Sequence, residues 1–317
     1  MKLFKRLLLI VVLFSITISY SQNSIRTSIV DTTSNWVGKN TIGLDLSEIS
    51  FLNWSAGGNS SISGLIKGNF HRNYRTQNVK WSNELIVRYG VNKQDGVELR
   101  KTDDAFNLNS TFGYRKDSLS NWYHSAKFNF NSQFTNGYAY PNIDKPISKP
   151  FAPAYVFLGV GAEYSNKERK LNIYISPLTM KTTLVLDTYL ANQGAFGVTK
   201  AVYDSDGTLI SKGKRSKSEF GLLLTASNKK EVIKNITMDN KLSLYSDYIN
   251  KFGNVDVDWQ LQFDLVVNQY VKANIGTHLL YDDDIKTKKI IDGQQITLGP
   301  KVQLKQMLGI GFVYNFI

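Results

Sequence analysis

Residues 255–268 read Val255-Asp256-Val257-Asp258-Trp259-Gln260-Leu261-Gln262-Phe263-Asp264-Leu265-Val266-Val267-Asn268: every odd position is apolar and every even position except Val266 is polar. A period of two places the apolar side chains on one face of a β-strand and the polar ones on the other. A helix would carry Asp256, Trp259 and Phe263 down one stripe and mix the two classes. Strands of soluble domains run to about 5–6 residues, whereas a strand that crosses a bilayer at a tilt needs about 9–11. The stretch has the length and the pattern of a membrane-crossing strand.

The same pattern recurs along the chain. Its apolar faces are Ile42, Leu44 and Leu46 over about 40–50; Ile62, Ile66, Phe70 and Tyr74 over 59–74; Val79, Trp81, Leu85, Val87, Tyr89 and Val91 over 78–91, with Asn83 out of pattern. Phe106, Leu108, Phe112 and Tyr114 follow over 103–116, then Trp122, Ala126, Phe128, Phe130 and Phe134 over 121–135, and Ala154, Val156, Leu158, Val160, Ala162 and Tyr164 over 154–166. A seventh strand starts at Leu171, Ile173 and Ile175 and resumes through Leu184 and Leu186. Pro177 interrupts it, and because proline cannot donate to a ladder a bulge is expected there. Phe220, Leu222 and Leu224 mark the eighth strand, and Val232, Ile236, Met238, Leu242 and Leu244 the ninth. Beyond the tenth come Val271, Ala273, Ile275, Leu279 and Tyr281, and finally Val302, Leu304, Leu308, Ile310, Phe312, Tyr314 and Phe316. The expected fold is all-β: an antiparallel up-and-down transmembrane β-barrel of about twelve strands, an even number as bacterial single-chain barrels have.

Two further patterns point the same way. Odd-numbered connections are expected to be long, notably the third over about 92–102 and the seventh over about Asp187 to Ser216, and even-numbered ones short, as in outer-membrane barrels. The ninth, Asn250 to Asn254, is the short exception. Trp81, Tyr114, Trp122, Tyr138, Trp259, Tyr281 and Tyr314 fall toward strand ends, where interfacial girdles sit.

Lys2, Lys5 and Arg6 followed by the apolar run Leu7 to Ile18 and Ser19-Tyr20-Ser21 are expected to form a secretory signal peptide over 1–21. A periplasmic lead-in over 22–39 and the barrel over 40–317 complete the expected organisation. With no cysteine in the chain, disulfides and a lipidated cysteine are both excluded. The formal charge of +12 falls by the three charges of the leader and stays basic. On an exported chain that balance favours outer-membrane lipids and lipopolysaccharide as partners, together with the barrel-insertion machinery. Nucleic acid is not expected, since the chain carries no basic stripe with interleaved aromatic residues.

The segment Phe51-Leu52-Asn53-Trp54-Ser55-Ala56-Gly57-Gly58-Asn59-Ser60, with Ser176-Pro177-Leu178-Thr179 and Gly194-Ala195-Phe196-Gly197-Val198, resembles a family of uncharacterised outer-membrane barrels of Bacteroidetes, domain of unknown function 3078. The resemblance extends over nearly all of the mature chain and implies an outer-membrane barrel with no assigned activity. Trp54, Gly57 and Gly58 carry its most specific part; read physically, they suit a tight turn beside an interfacial tryptophan. The last strand resembles the C-terminal insertion signal of outer-membrane proteins, departing only in the terminal Ile317.

Polar positions of the strands predict lumen charges at Glu84, Arg88, Lys127, Glu163, Asp256, Asp258, Asp264, Lys272, His278, Lys301 and Lys305, joined by Glu219, Asp239 and Lys241. In a narrow barrel such groups pair across the interior or line a conduction path. Carboxylates on the tenth strand facing lysines on the twelfth would set a transverse field. The seventh connection, with Lys200, Lys212, Lys214 and Arg215, suits a surface loop, a plug or a lipopolysaccharide contact. Asp282, Asp283 and Asp284 lack the spacing of a defined calcium loop. Hydrolase chemistry would fall to His71 or His278, since His124 shares the outward parity of Trp122, and the chain has no G-x-S-x-G, H-E-x-x-H or phosphate-loop element. No cofactor is expected. The leading function is a narrow channel or a structural and surface-binding barrel; an outer-membrane hydrolase and a soluble exported β-sandwich are the alternatives, and solute and oligomeric state are not encoded legibly.

Overall fold

The computed structural model describes residues 34–50, 59–250, 252–291 and 294–316. Twelve antiparallel strands close into a barrel: β1 (Trp36–Ile49), β2 (Ser61–Arg75), β3 (Val79–Gln94), β4 (Arg100–Tyr114), β5 (Trp122–Ser132), β6 (Ala154–Asn166), β7 (Leu171–Leu184), β8 (Ser216–Ile233), β9 (Ile236–Asp247), β10 (Asp256–Val266), β11 (Val271–Tyr281) and β12 (Gln303–Phe316). Each strand pairs with its neighbours in sequence, and β12 returns to pair with β1 from Asn40–Phe316 to Asp45–Gly311. The expected leader, most of the lead-in, and Trp54, Gly57 and Gly58 lie outside the described residues. The lead-in ends earlier than expected, because Trp36 to Lys39 already pair with Tyr74 to His71 of β2.

Side chains sort to the two faces of the wall as the alternation requires. Leu44, Ile66, Leu158, Val160, Ile275 and Ile310 point outward and are exposed, while Asp45, Glu163, Lys181 and Glu219 point inward and are buried. A soluble sandwich would pack those apolar faces on each other, so that expectation is not met. An eleven-residue strand such as β5 is ~36 Å long at about 3.3 Å per residue. Tilted by about 40°, it rises ~28 Å, close to the apolar band of membrane barrels. At the short-turn end the ring of Trp36 meets those of Tyr74 and Trp81 in tilted contacts at 5.3 and 5.6 Å, and that of Trp122 meets Tyr164 at 5.3 Å. Tyr138 departs from the expected girdle and sits in a small ribbon, Gly137–Tyr138 with Pro146–Ser148, inside the fifth connection.

The long connections are the fifth (133–153), the seventh (185–215) and the eleventh (282–302). The third shrinks to 95–99, because the polar Arg100 and Lys101 extend β4 by pairing with Asn92 and Val91. The seventh connection is folded rather than loose. It contains the short helix α1 (Thr188–Asn192), a 3-10 turn (Ala195–Gly197) and a ribbon, Val202–Tyr203 with Leu209–Ser211. Val185, Leu190, Ala191 and Val198 bury themselves with Ala152 of the fifth connection to form a small apolar nucleus. Asp187 caps α1 by accepting from the Leu190 N–H at 3.0 Å and accepts from Lys149 Nζ at 2.7 Å. Burial opposes its charge, yet these bonds outweigh that and hold its carboxyl below the ordinary range. A depressed pKa of this kind stabilises the connection at and above the unfolded value of about 3.9, and the contribution disappears as pH falls through the folded value.

The break expected at Pro177 is a bulge. Opposite β6, Val160 pairs with Leu178 and Ala162 with Ile175, so Gly161 faces two residues of β7; opposite β8, the register shifts between Gly221 and Leu223. Ser176 Oγ lies 2.8 Å from the Val160 carbonyl and 3.0 Å from that of Leu178, and Thr179 Oγ1 donates to Ser176 Oγ at 2.7 Å. The bulge exchanges the parity of the strand: Tyr174 and Ser176 face inward before it, Thr179, Lys181 and Thr183 after it. A side chain at Gly161 would put its Cβ 2.0 Å from the Ile175 carbonyl oxygen.

Gly161→Val is predicted to destabilise the barrel by about 1–3 kcal/mol, the range for overpacking against backbone, read as a lower urea midpoint of tryptophan fluorescence in detergent; an unchanged midpoint would contradict the bulge geometry. Asp187→Ala is predicted to loosen the seventh connection by about 1 kcal/mol, a roughly five-fold rise in protease cleavage between 185 and 215 at neutral pH. Asp187→Asn, which keeps a capping oxygen, should recover part of the protection, and equal cleavage in all three proteins would exclude the cap.

Candidate functional site in the barrel lumen

Inward residues near the long-loop end form a network around Lys181 on β7. Its Nζ lies 2.7 Å from Asp256 Oδ2 on β10, 3.0 Å from Asp282 Oδ2 just beyond β11, and 3.9 Å from Glu219 Oε2 on β8. In the barrel order β7-β8-β9-β10 the contact to Asp256 passes over two strands and so crosses the lumen. Lys217 joins the same network through Glu219 at 3.1 Å and through Asp284. Asp283 turns away and accepts from Asn254 Nδ2 at 2.9 Å. The three consecutive aspartates thus take separate partners, two of them lysines, and among the described residues no cluster of His, Cys, Asp or Glu suits a metal ion. Asp284, on the connection itself, is held below the ordinary carboxylate range: burial opposes the charge most strongly, but the bond and charge of Lys217, with Glu219 and Lys181 behind them, together outweigh it.

Other predicted positions also face the lumen. Arg88 pairs with Asp103 at 3.2 Å, and Lys305 on β12 reaches the same carboxylate at 2.8 Å across β1, β2 and β3. Glu84 faces His71 at 3.6 Å and accepts from Asn69 and Asn109. Glu163 pairs with the buried Lys80 at 2.7 Å near the short-turn end. Lys127 on β5 donates to Thr225 Oγ1 on β8 at 3.2 Å, again over two strands, and lies over the ring of Tyr174. Asp258 meets His278 at 2.9 Å, and Asp264 accepts from Gln262 at 2.6 Å. Lys272 occupies the inward register of β11 opposite Gly311. Asp239 pairs with Lys229 at 2.8 Å.

Three expectations need correction. Lys301 is exposed in the eleventh connection, before β12 begins, and is not a lumen charge. The carboxylates of β10 do not oppose the lysines of β12: Asp256 serves β7, Asp258 serves β11, and Lys305 serves β4. The interior is also not uniformly polar, since Tyr174, Leu223 and Tyr245 pack together inside the wall with Phe157 against them. These large side chains fill that part of the interior.

Sequence reading missed Lys181, Lys217, Asp103, Lys80, Asp45 and Lys67. Lys80 shares the parity of Glu84 and Arg88, and that signal was present. Lys181 was hidden by the bulge, which exchanges inside and outside four residues before it. Lys200, Lys212, Lys214 and Arg215 of the seventh connection are exposed, and Arg215 is tied to Thr188 Oγ1 at 2.5 Å. His71 faces the Glu84 carboxylate and His278 that of Asp258.

Comparison with solved structures finds weak overall likenesses. The translocator domain of autotransporter NalP from Neisseria meningitidis is 11% identical, with 94% of this chain and 92% of that one covered and a TM-score of 0.34. An outer membrane channel from Pseudomonas putida F1 is 11% identical over 89% and 95% of the two chains, with a TM-score of 0.40. A Pseudomonas aeruginosa FadL homologue is 9% identical over 88% and 89%, with a TM-score of 0.29. No curated protein matches the chain. Residues 46–138, which include Trp54, Gly57 and Gly58, match the family described as Protein of unknown function (DUF3078).

Proposed function

We propose that the chain is a β-barrel of the bacterial outer membrane, reached after cleavage of a signal peptide over 1–21, and that it acts as a narrow channel held shut at rest. The observation that carries this reading is the set of chords through the lumen: Lys181 to Asp256, Lys305 to Asp103 and Lys127 to Thr225. A barrel that served only as a scaffold could fill its interior with apolar side chains. Ionic chords instead separate into mobile charges that water can solvate, so they shut a path that remains polar when they part. The outward apolar wall and the aromatic clusters at the short-turn end support the membrane setting, and the wider resemblance to barrels of Bacteroidetes belongs to the same reading. Outer-membrane lipids and the barrel-insertion machinery are the partners this setting supplies.

A second reading, a structural and surface-binding barrel, draws on the folded seventh connection, which holds Lys200, Lys212, Lys214 and Arg215 exposed beside its apolar nucleus. That cluster suits the phosphates of lipopolysaccharide. Hydrolysis of lipid or glycan has no comparable support in the geometry.

Conductance of the refolded protein in a planar lipid bilayer tests the channel reading. Wild type is predicted to show rare, small openings. Lys181→Met leaves Asp256, Asp282 and Glu219 without their shared cation, a change of about 3–5 kcal/mol for a buried group, and should raise the open fraction at least about ten-fold. Lys305→Met should act in the same direction. Silence of wild type and of both variants, all correctly folded, would leave the surface-binding reading in place of the channel.

A further inference from the structure

We propose that the barrel wall opens sideways between β1 and β12 toward the long-loop end, giving an amphiphile from the surrounding leaflet lateral access to the lumen. The inference rests on the reading that the barrel spans a membrane. Its first observation is the seam. β1 pairs with β2 along its whole length, from Trp36–Tyr74 to Ile49–Ser61, but with β12 only from Asn40 to Asp45. Continued past Asp45–Gly311, the register would set Leu46 against Ile310, Ser47 against Gly309, Glu48 against Leu308 and Ile49 against Met307. Among the described residues none of these pairs forms. Leu46 to Ile49 keep their partners on β2, and Met307 to Ile310 keep theirs on β11. The outward side chains agree: Leu308 is 80% exposed, against 49% for Leu158 in the middle of the opposite wall.

A second observation marks where the ladder stops. Asp45 is 7% exposed and stands at the fork. Its Oδ2 accepts from Lys67 Nζ on β2 at 2.8 Å and, across the seam, from Asn274 Nδ2 on β11 at 3.4 Å. Two glycines of β12 make room for it. A Cβ on Gly311 would lie 2.2 Å from Asp45 Oδ1, and one on Gly309 would lie 3.1 Å from Oδ2. The carboxylate therefore fastens the lower seam and forms the floor of the opening above it. Its Oδ1 is buried against Gly311 with no hydrogen-bond partner.

The chemistry of the margins selects the occupant. Two unzipped strand edges offer both N–H donors and carbonyl acceptors, which hydrocarbon cannot satisfy. Outward, the margins are Leu46, Glu48, Leu304, Leu308 and Ile310; inward, they are Asp45, Ser47, Ile49 and Met307. A molecule fits both sides when its head carries hydroxyl or amide groups and its alkyl tail stays in the bilayer.

The natural chain has no cysteine, so introduced thiols report on chosen positions alone. The Thr41→Cys/Asn315→Cys pair lies in the closed ladder, where the native side chains are 2.7 Å apart, and should oxidise readily to a disulfide. Ser47→Cys/Gly309→Cys should oxidise at least about ten-fold more slowly, because a splayed seam exceeds disulfide reach. Met307→Cys labelled with bimane, in vesicles of phosphatidylcholine containing doxyl-labelled phosphatidylcholine, should be quenched nearly as strongly as the label on outward Leu308→Cys. Label on Gln260→Cys, inward on β10 and two strands away from β12, should stay bright. Equal oxidation of the two cysteine pairs would show a zipped seam and overturn the proposal. A reduced Ser47–Gly309 pair with unquenched label at 307 would mean that protein, not lipid, covers the edge, and would overturn it as well. Quenching equal at Gln260 and Leu308 would mean that the barrel itself had not formed, which separates failure of the membrane reading from failure of the portal.

Discussion

Closure of the backbone ladder governs the rest of the molecule. A membrane offers no partners for N–H and C=O groups, so a sheet survives there only when its first and last strands meet. β1 and β12 do meet, over Asn40–Asp45, and their contact turns eleven local hairpin-like pairings into a wall without outer edges. Once the wall is closed, the two-residue period assigns every side chain to solvent lipid or to lumen, and the interior chemistry follows from that assignment. The seam is also the place where the constraint is least fully met, which is why the short ladder and the buried Asp45 at its end bear on function.

Within the wall, inward side chains occupy part of the space that the twelve strands enclose. The filling is of two kinds. Around Phe157, Tyr174, Leu223 and Tyr245 it packs rings and a leucine. Elsewhere it runs long cationic side chains across the bore to carboxylates on distant strands, as Lys181 does to Asp256 and Lys305 to Asp103. A buried ion pair contributes little net stability against an apolar substitute, but removing one partner is costly. Such pairs are therefore better suited to hold a shape that can change than to raise the stability of a fixed one.

The wall was largely legible from the alternation of residues such as Val255 to Val267, since lipid on one side and charge on the other leave little freedom in register. Even the bulge could be anticipated from Pro177. Legibility ended where residues acted against composition. Arg100 and Lys101 read as a loop yet extend β4, because pairing to Asn92 and Val91 satisfies their backbone whatever their side chains are. The partners of the lumen charges were not legible, because they lie two or three strands apart and depend on side-chain reach across the bore. Lys181 was hidden for a further reason, as the bulge reversed the parity by which it would have been found. The seam was invisible for the same kind of reason: a ladder that stops at Asp45 leaves no mark in the periodicity of either strand.

Heat-modifiable gel migration of the protein in washed outer-membrane fractions tests the central claim, a closed membrane barrel, most directly. The account predicts a membrane-bound band that resists washing and migrates differently before and after boiling, as a folded barrel does. A protein found in the soluble periplasmic fraction, with identical migration boiled and unboiled, would contradict it.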